Sequence, residues 1–451
     1  MKNAINEILS KTESDIKKIS EFSPEAVTVT EYGYLVKEGV WTDAFQKAID
    51  DNEYIYIPYS DTPYIIDHTV TIPSDRHIKA EHGAVIRLAE GTDVLMIRNR
   101  NNTDGTNIMP SHDNRDKNIS ITGGRWEETH TVRAGYQKSG KYDGEGKFFG
   151  VSCCMLFNNV ENLYLSDVTI VRAGGFAVQI GEIKNAVFEN ITFESCFADG
   201  LHINGNSENI IARNIKGHVG DDLVALNMYD WQNSSVTFGP GKNILCENLE
   251  LSADSKYKSL RILPGMYYFD DGTSVDCSLE NVIIKNVKGI KTFKIYFQTP
   301  PYMIGSNPER GDIGSVNNIF FEDIDIELDE PIDKLNPYLD SDMLRGSFAS
   351  FETGSRIGNI SLENIRVNLN REKWPLSYFL CDGPKSVILG KNEVFDPYVT
   401  SVIENLTLSD ISVNGRKVED ITPYIREIEF RDVNNDGNST GRGVIKNIIC
   451  K

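Results

Sequence analysis

From about residue 115 onward the hydrophobic and polar positions repeat as one short unit: an Asn, alternating apolar residues, a second Asn or Asp, then another apolar pair. The unit reads KNISITGG, ENLYLSDVTI, KNAVFENITF, ENIIARNIKG, KNILCENLEL, ENVIIKNVKG, NNIFFEDIDI, GNISLENIRV and ENLTLSDISV. Counted from the first Asn, five successive units start at 162, 185, 209, 243 and 281, so the steps are 23, 24, 34 and 38 residues. A period of two predicts strands. Steps of about 20 to 30 residues with short strands predict a β-solenoid, one coil per unit, and the longer steps predict loops inserted at the turns. The recurring Asn residues are read as turn residues, because Asn tolerates the left-handed conformation and stacks its amide from coil to coil.

A second strand follows the turn in the middle coils: AVQI at 177, LHIN at 201, VALN at 224, LRIL at 260 and FKIY at 293. Its alternation predicts that Val178, Leu201, Val224, Leu260 and Phe293 point inward. Gln179, His202, Ala225, Arg261 and Lys294 then form an outward column. Upstream, Ile5, Ile8, Leu9, Ile16 and Ile19 recur at helical spacing. Residues 1–23 are therefore expected to form a short amphipathic helix capping the first coil, whose open end otherwise exposes strand edges, and residues 24–451 to form the solenoid. Between residues 26 and 88, β-branched strands alternate with one helix at Asp43 to Asp50. Four segments break the repeat, at 126–150, 228–240, 298–314 and 371–403; rich in Gly, aromatics and charge, they are expected to be loops walling a cleft.

Composition narrows the functions available. The chain has 451 residues, 40% hydrophobic and 25% charged, and no apolar run long enough to span a bilayer. A net charge of -20 argues against nucleic acid, whose binding relies on clustered Lys and Arg. It also weighs mildly against a highly charged polyanionic substrate. The N-terminus MKNAINEILSKTESDIKKISEF lacks the apolar core of a secretory signal, which predicts a cytoplasmic protein, or a secreted one whose signal was removed. Cys153, Cys154, Cys196, Cys246, Cys277, Cys381 and Cys450 are an odd set without CxxC spacing, suggesting neither a disulfide framework nor a zinc site.

The candidate chemistry lies just before the outward column. Asp199 stands in FADG and Asp221 with Asp222 in VGDD. Asp199 and Asp222 each precede their column residue by three positions, and coils sit about 4.8 Å apart, so the acids are predicted to share one face. Carboxylates so close repel, which raises the pKa of at least one and permits a protonated acid beside an ionised base. That division is what glycosidic cleavage requires. Tyr229, Trp231, Tyr267 and Tyr268 are candidates to stack on sugar rings, His218 is a weaker candidate behind the acids, and FDDG at 269–272 reads as a solvated turn.

These residues resemble the polygalacturonase family of glycoside hydrolases, inverting pectinase-like enzymes on an all-β, right-handed parallel β-helix of the pectin lyase type. Phe197-Ala198-Asp199-Gly200 keeps the Asp and Gly of the family's Asn-Thr-Asp-Gly. Gly220-Asp221-Asp222, followed by LVALN, matches its Gly-Asp-Asp and apolar strand, one coil later as in the family. The strand, helix and strand order near the N-terminus is similar to the family's opening, and the likeness extends over residues 24–300. By this resemblance Asp221 is the general acid, and Asp199 with Asp222 holds and activates the attacking water. The chain departs from the family where Tyr257-Lys258-Ser259 replaces Gly-His-Gly and Thr292-Phe293-Lys294 replaces Arg-Ile-Lys. That basic motif grips a uronate, so the sugar is left open; Arg261 stands one coil earlier as a substitute guanidinium. His202, Arg261, Lys294, Lys258, Tyr229 and Trp231 are the substrate-binding candidates.

The leading expectation is an inverting glycoside hydrolase acting on plant-type oligo- or polysaccharides, with no cofactor and no metal. A polysaccharide lyase is the first alternative, with Ca²⁺ near the acids and Lys294 or Arg261 as base. A sugar epimerase, an intramolecular glycosyl transferase and a non-catalytic glycan-binding β-helix follow, and a homo-oligomer is left open.

Overall fold

The computed structural model describes residues 1–92, 94–101, 114–133, 153–230, 235–255, 258–268, 273–296, 315–328, 349–352, 356–369, 379–381, 387–389, 393–395, 402–420, 425–427, 429–431, 439–442 and 444–451. They form a right-handed parallel β-helix in which each coil hydrogen-bonds in parallel to the next. The expected segments at 298–314 and 371–403 lie wholly or largely outside the described residues.

The Asn residues make the corners. Asn162, Asn185, Asn209, Asn243 and Asn281 all have φ between 54° and 64°, a left-handed conformation that Asn adopts at low cost. The strand Phe176–Glu194 can thus run 19 residues while turning at Glu182, Asn185 and Asn190, each at positive φ. The side-chain amides stack: Asn162 Nδ2 donates to Asn118 Oδ1 (2.9 Å), Asn185 to Asn162 (3.1 Å), Asn209 to Asn185 (2.9 Å), Asn243 to Asn209 (3.0 Å) and Asn281 to Asn243 (3.1 Å). The ladder continues through Asn318, Asn359, Asn405 and Asn447. A second ladder links Asp167, Asn190, Asn214, Asn248 and Asn286.

Inside the corners, register stacks like on like. Leu163, Ala186, Ile210, Ile244, Val282, Ile319, Ile360 and Leu406 form one inward column, and all are buried in one continuous core. Cys153, Cys154, Cys196, Cys246 and Cys277 are buried free thiols, and Cys450 is exposed. No described helix is long and apolar enough to cross a membrane.

The N-terminal helix, α1 (Lys2–Ile19), lies against the flank of the solenoid and not over its open end. Its Ile5, Leu9 and Ile16 pack on Val187, Ile211, Leu245 and Ile283, flanked by Tyr164 and Phe320. Those six residues are successive outward positions on one face. A helix of 18 residues is about 27 Å long, and five coil steps span about 24 Å, so α1 matches the column. Lys2 pairs with Glu322, Lys17 with Glu189 at 3.2 Å, and Arg213 with Glu13 at 2.7 Å. A second helix, α2 (Thr42–Asp51), joins the core through Phe45, Ala48 and Ile49, beside Val29, Ile55, Ile57 and Ile78.

Candidate active site

The short strands form one face, and their register places the outward column as the alternation predicts. Gln179, His202 and Ala225 are partners in sequence, as are inward Val178, Leu201 and Val224. Leu226 pairs with Ile262, and Arg261 pairs with Lys294. Asp199 and Asp222 are therefore aligned on adjacent coils. Gly200 N–H donates to Asp222 O at 2.9 Å, and Asp222 N–H donates to Asp199 Oδ1 at 2.9 Å. The neighbouring glycines permit this approach: a Cβ on Gly220 would lie 2.2 Å from Phe197 O, and one on Gly200 2.4 Å from the Phe193 ring.

Among the described residues, Asp199, Asp221 and Asp222 each place one carboxylate oxygen within 4.8 Å of the others. The side chains of Asp199 and Asp222 are 2% and 0% exposed, while Asp221 is 17% exposed. Burial, then the charge of Asp221, pushes Asp199 up to about 7. Burial also pushes Asp222 well above the usual carboxylate range, opposed by Arg261 and reinforced by Asp221 and Asp199. Arg261 touches all three: Nε donates to Asp222 Oδ2, Nη2 donates to Asp221 Oδ1 at 2.7 Å, and Nη2 lies 3.6 Å from Asp199 Oδ1. Ser259 Oγ–H donates to Asp222 Oδ1 at 2.9 Å, and Arg133 Nη1 reaches Asp221 Oδ2 at 3.4 Å. Three carboxylates so close are also a donor set for a divalent cation; Arg261 bonds to Asp221 and Asp222 as their counter-ion.

His202 sits on the outward column yet is fully buried. Its ring stacks on Phe176 with centroids 3.8 Å apart and planes 12° apart. Nδ1 is 2.6 Å from Asp199 Oδ2, and Nε2 is 3.1 Å from Asn204 Nδ2 and 3.4 Å from Asp230 Oδ2. Burial holds its pKa down at about 4, so the ring is neutral. It contacts the acid Asp199 and has no surface for a substrate.

The other expected binding residues divide. Arg261 is occupied by the acids. Lys258 Nζ donates to Ala253 O at 2.6 Å at the surface. Lys294 is placed beside Arg261 by register, its side chain lying outside the described residues, as do Trp231, Tyr257, the Tyr268 side chain and residues 269–272. Tyr229 and Tyr267, expected to stack on sugars, are 1% and 3% exposed core residues packed on Phe238. In LVALNMYDW the strand Val224–Asn227 ends before Tyr229, and the loop folds that ring inward. His218 lines a separate hollow with Glu194, Lys216 and Glu250. Arg133, Ser259, Asn204, Asp230 and Phe176 are parts of the site that the sequence pattern missed. Ser259 and Asn204 lie within two positions of the predicted column and were within reach of it; Arg133 is 88 residues from Asp221, a distance that no repeat encodes.

No family model matches the chain, and no curated protein matches its sequence. Solved structures do match. The family 28 exopolygalacturonase of Yersinia enterocolitica aligns at 12% identity and TM-score 0.55 over 95% of this chain and 78% of its own. The hyperthermoactive exopolygalacturonase of Thermotoga maritima aligns at 12% identity and TM-score 0.55 over 91% of this chain and 97% of its own. At that identity the likeness is one of fold: the chain is a polygalacturonase-like parallel β-helix.

Proposed function

We propose that the protein is a glycoside hydrolase that cleaves plant-type oligo- or polysaccharides with inversion, using Asp199, Asp221 and Asp222. The observation that carries this reading is the cluster itself: three carboxylates from adjacent coils, two of them buried with raised pKa values. Protons in such a cluster belong to the group and not to one residue, so it holds one near neutral pH. Asp221 is the most exposed of the three, which supports it as the acid that meets the glycosidic oxygen. It delivers the proton to that leaving oxygen as the bond to the anomeric carbon breaks. Asp199 and Asp222 hold a water, which attacks the anomeric carbon and returns a proton to the cluster. Arg261 must part from Asp221 as the sugar enters, since a carboxyl bonded to a guanidinium is not an acid.

One oxygen of each carboxylate lies within 4.8 Å of the others, whereas an inverting pair sets its whole carboxyl groups roughly 6.5–9.5 Å apart, so the anomer of the first product is the deciding observation. Arg261 and Lys258 are engaged within the protein, which favours substrates that do not depend on a uronate anchor at those two residues. The test is product analysis by mass spectrometry and anomeric NMR on neutral and uronic plant oligosaccharides, comparing wild type with Asp221→Asn and Asp222→Asn. An inverted product, lost in both variants, is expected. Unsaturated products move the protein to the lyases, binding without turnover makes it a glycan-binding module, and full activity in both variants removes the site.

A further inference from the structure

We infer that His202 is a positioning residue that fixes Asp199 as a hydrogen-bond acceptor, and that the backbone of the segment at Val236 sets its tautomer through Asn204; the kinetic part of this inference rests on the proposed hydrolase reading. The argument begins at a donor with no ambiguity. Val236 N–H donates to Asn204 Oδ1 at 3.1 Å, and Gln179 Nε2 donates to the same oxygen at 3.0 Å. Asn204 Oδ1 is thereby assigned, and its Nδ2 donates to the carbonyl of Asn227 at 3.0 Å.

The second hydrogen of that amide points to His202 Nε2, 3.1 Å away. Nε2 must accept, so the ring proton resides on Nδ1. Nδ1–H donates to Asp199 Oδ2 at 2.6 Å, while Asp222 N–H donates to Oδ1. Both oxygens of Asp199 are held as acceptors, the geometry of a base and not of an acid. The charged groups around the ring are Asp199, Asp230, Asp221, Arg261 and Arg133. Of these, Asp230 at 3.4 Å is the one that competes for an Nε2 proton, and it is farther away than the Asn204 amide. With one face stacked on Phe176 and the whole residue buried, the ring has no surface for substrate, so His202 acts through Asp199.

The first experiment needs no substrate. Protein labelled with ¹⁵N in its histidines is followed by NMR from about pH 5 to about pH 8, a window in which an ordinary His titrates, and His202→Asn assigns the signal. The expected result is a neutral ring with the proton on Nδ1 across the range, moved to Nε2 by Asn204→Asp, whose carboxylate accepts where the amide donated. An Nε2–H tautomer or an imidazolium in the wild type overturns the inference. The second experiment is kinetic: His202→Asn retains an N–H donor near Nδ1 and keeps kcat within about tenfold, whereas His202→Leu loses about 100-fold in kcat with KM unchanged. Equal kcat in His202→Leu and wild type, or a loss confined to KM, also overturns it. If no sugar is turned over by the wild type, the proposed reaction fails and the tautomer readout still decides this inference.

Discussion

Replacing Asp199 with Asn removes a carboxyl whose ionised form the fold resists. Its pKa stands at about 7 against an ordinary 3.8, chiefly through burial. About three units at about 1.4 kcal/mol each is about 4 kcal/mol. The unfolded Asp199 releases its proton near pH 3.8, while in the folded chain the cluster it belongs to keeps one to about pH 7. Within that window the folded state binds more protons, so wild-type stability falls as pH rises and then levels off. Asn has no charge to lose and lacks the fall. It has a pH-independent cost of its own, because its Nδ2 cannot accept the N–H that His202 donates to Oδ2; two facing donors cost about 1–3 kcal/mol. Below about pH 4 the variant is therefore weaker by about 1–3 kcal/mol, and above about pH 7 the sign reverses. The swing between the two limits, about 4 kcal/mol, isolates the ionisation. Urea midpoints at about pH 4, 6 and 8, compared at equal m-values, measure it. Parallel curves, with one difference at every pH, refute the claim that burying Asp199 makes the cluster hold a proton.

Three further outcomes test the scaffold. Leu9→Ala, at a 1% exposed position on the inner face of α1, is expected to cost about 2–3 kcal/mol and to open residues 1–20 to limited proteolysis before the solenoid unfolds. Gly220→Ala sets a Cβ 2.2 Å from the backbone oxygen of Phe197, where neither atom is free to yield; a loss of about 3 kcal/mol or more in thermal melts is expected. Asn209 has φ 58° and bonds to ladder neighbours on both sides, so Asn209→Ala should be less stable than Asn209→Gly by about 1 kcal/mol, a ranking that denaturant titration reads directly.

The repeat was legible because two independent physical constraints coincide in it. Inward positions must be apolar at period two, and corners must accept positive φ, so Asn recurs at the step of one coil; the steps of 23, 24, 34 and 38 residues are those of the observed amide ladder. The same step sets Asp199 against Asp222. The seat of α1 was written in the sequence as well, in outward positions that carry Val187, Ile211, Leu245 and Ile283 where polar residues would serve. A cap was expected because an open end is the commoner need; the uncommon apolar column was the stronger signal. What no pattern encoded is cover. The alternation told that His202 leaves the core but not that Phe176 and Asn204 would bury it, and Tyr229 looked exposed because it follows a strand that in fact ends at Asn227.

The charges of the cluster bear on whether it is chemistry or scaffold. Among the described residues, Asp199, Asp221 and Asp222 face Arg261 and Arg133. A structural ion pair gains by matching its charges, and burying an unmatched carboxylate costs stability. Here three carboxylates stay on adjacent coils, brought close by Gly200 and Gly220 at positions where a Cβ meets neighbouring atoms, and burial raises the pKa of two of them. A glycan-binding wall has no use for a proton held near neutral pH; a hydrolase requires one for the leaving oxygen. Two carboxyls with raised pKa values beside a third more exposed one, more than the identity of the residues, are what favour the hydrolase among the readings this fold admits.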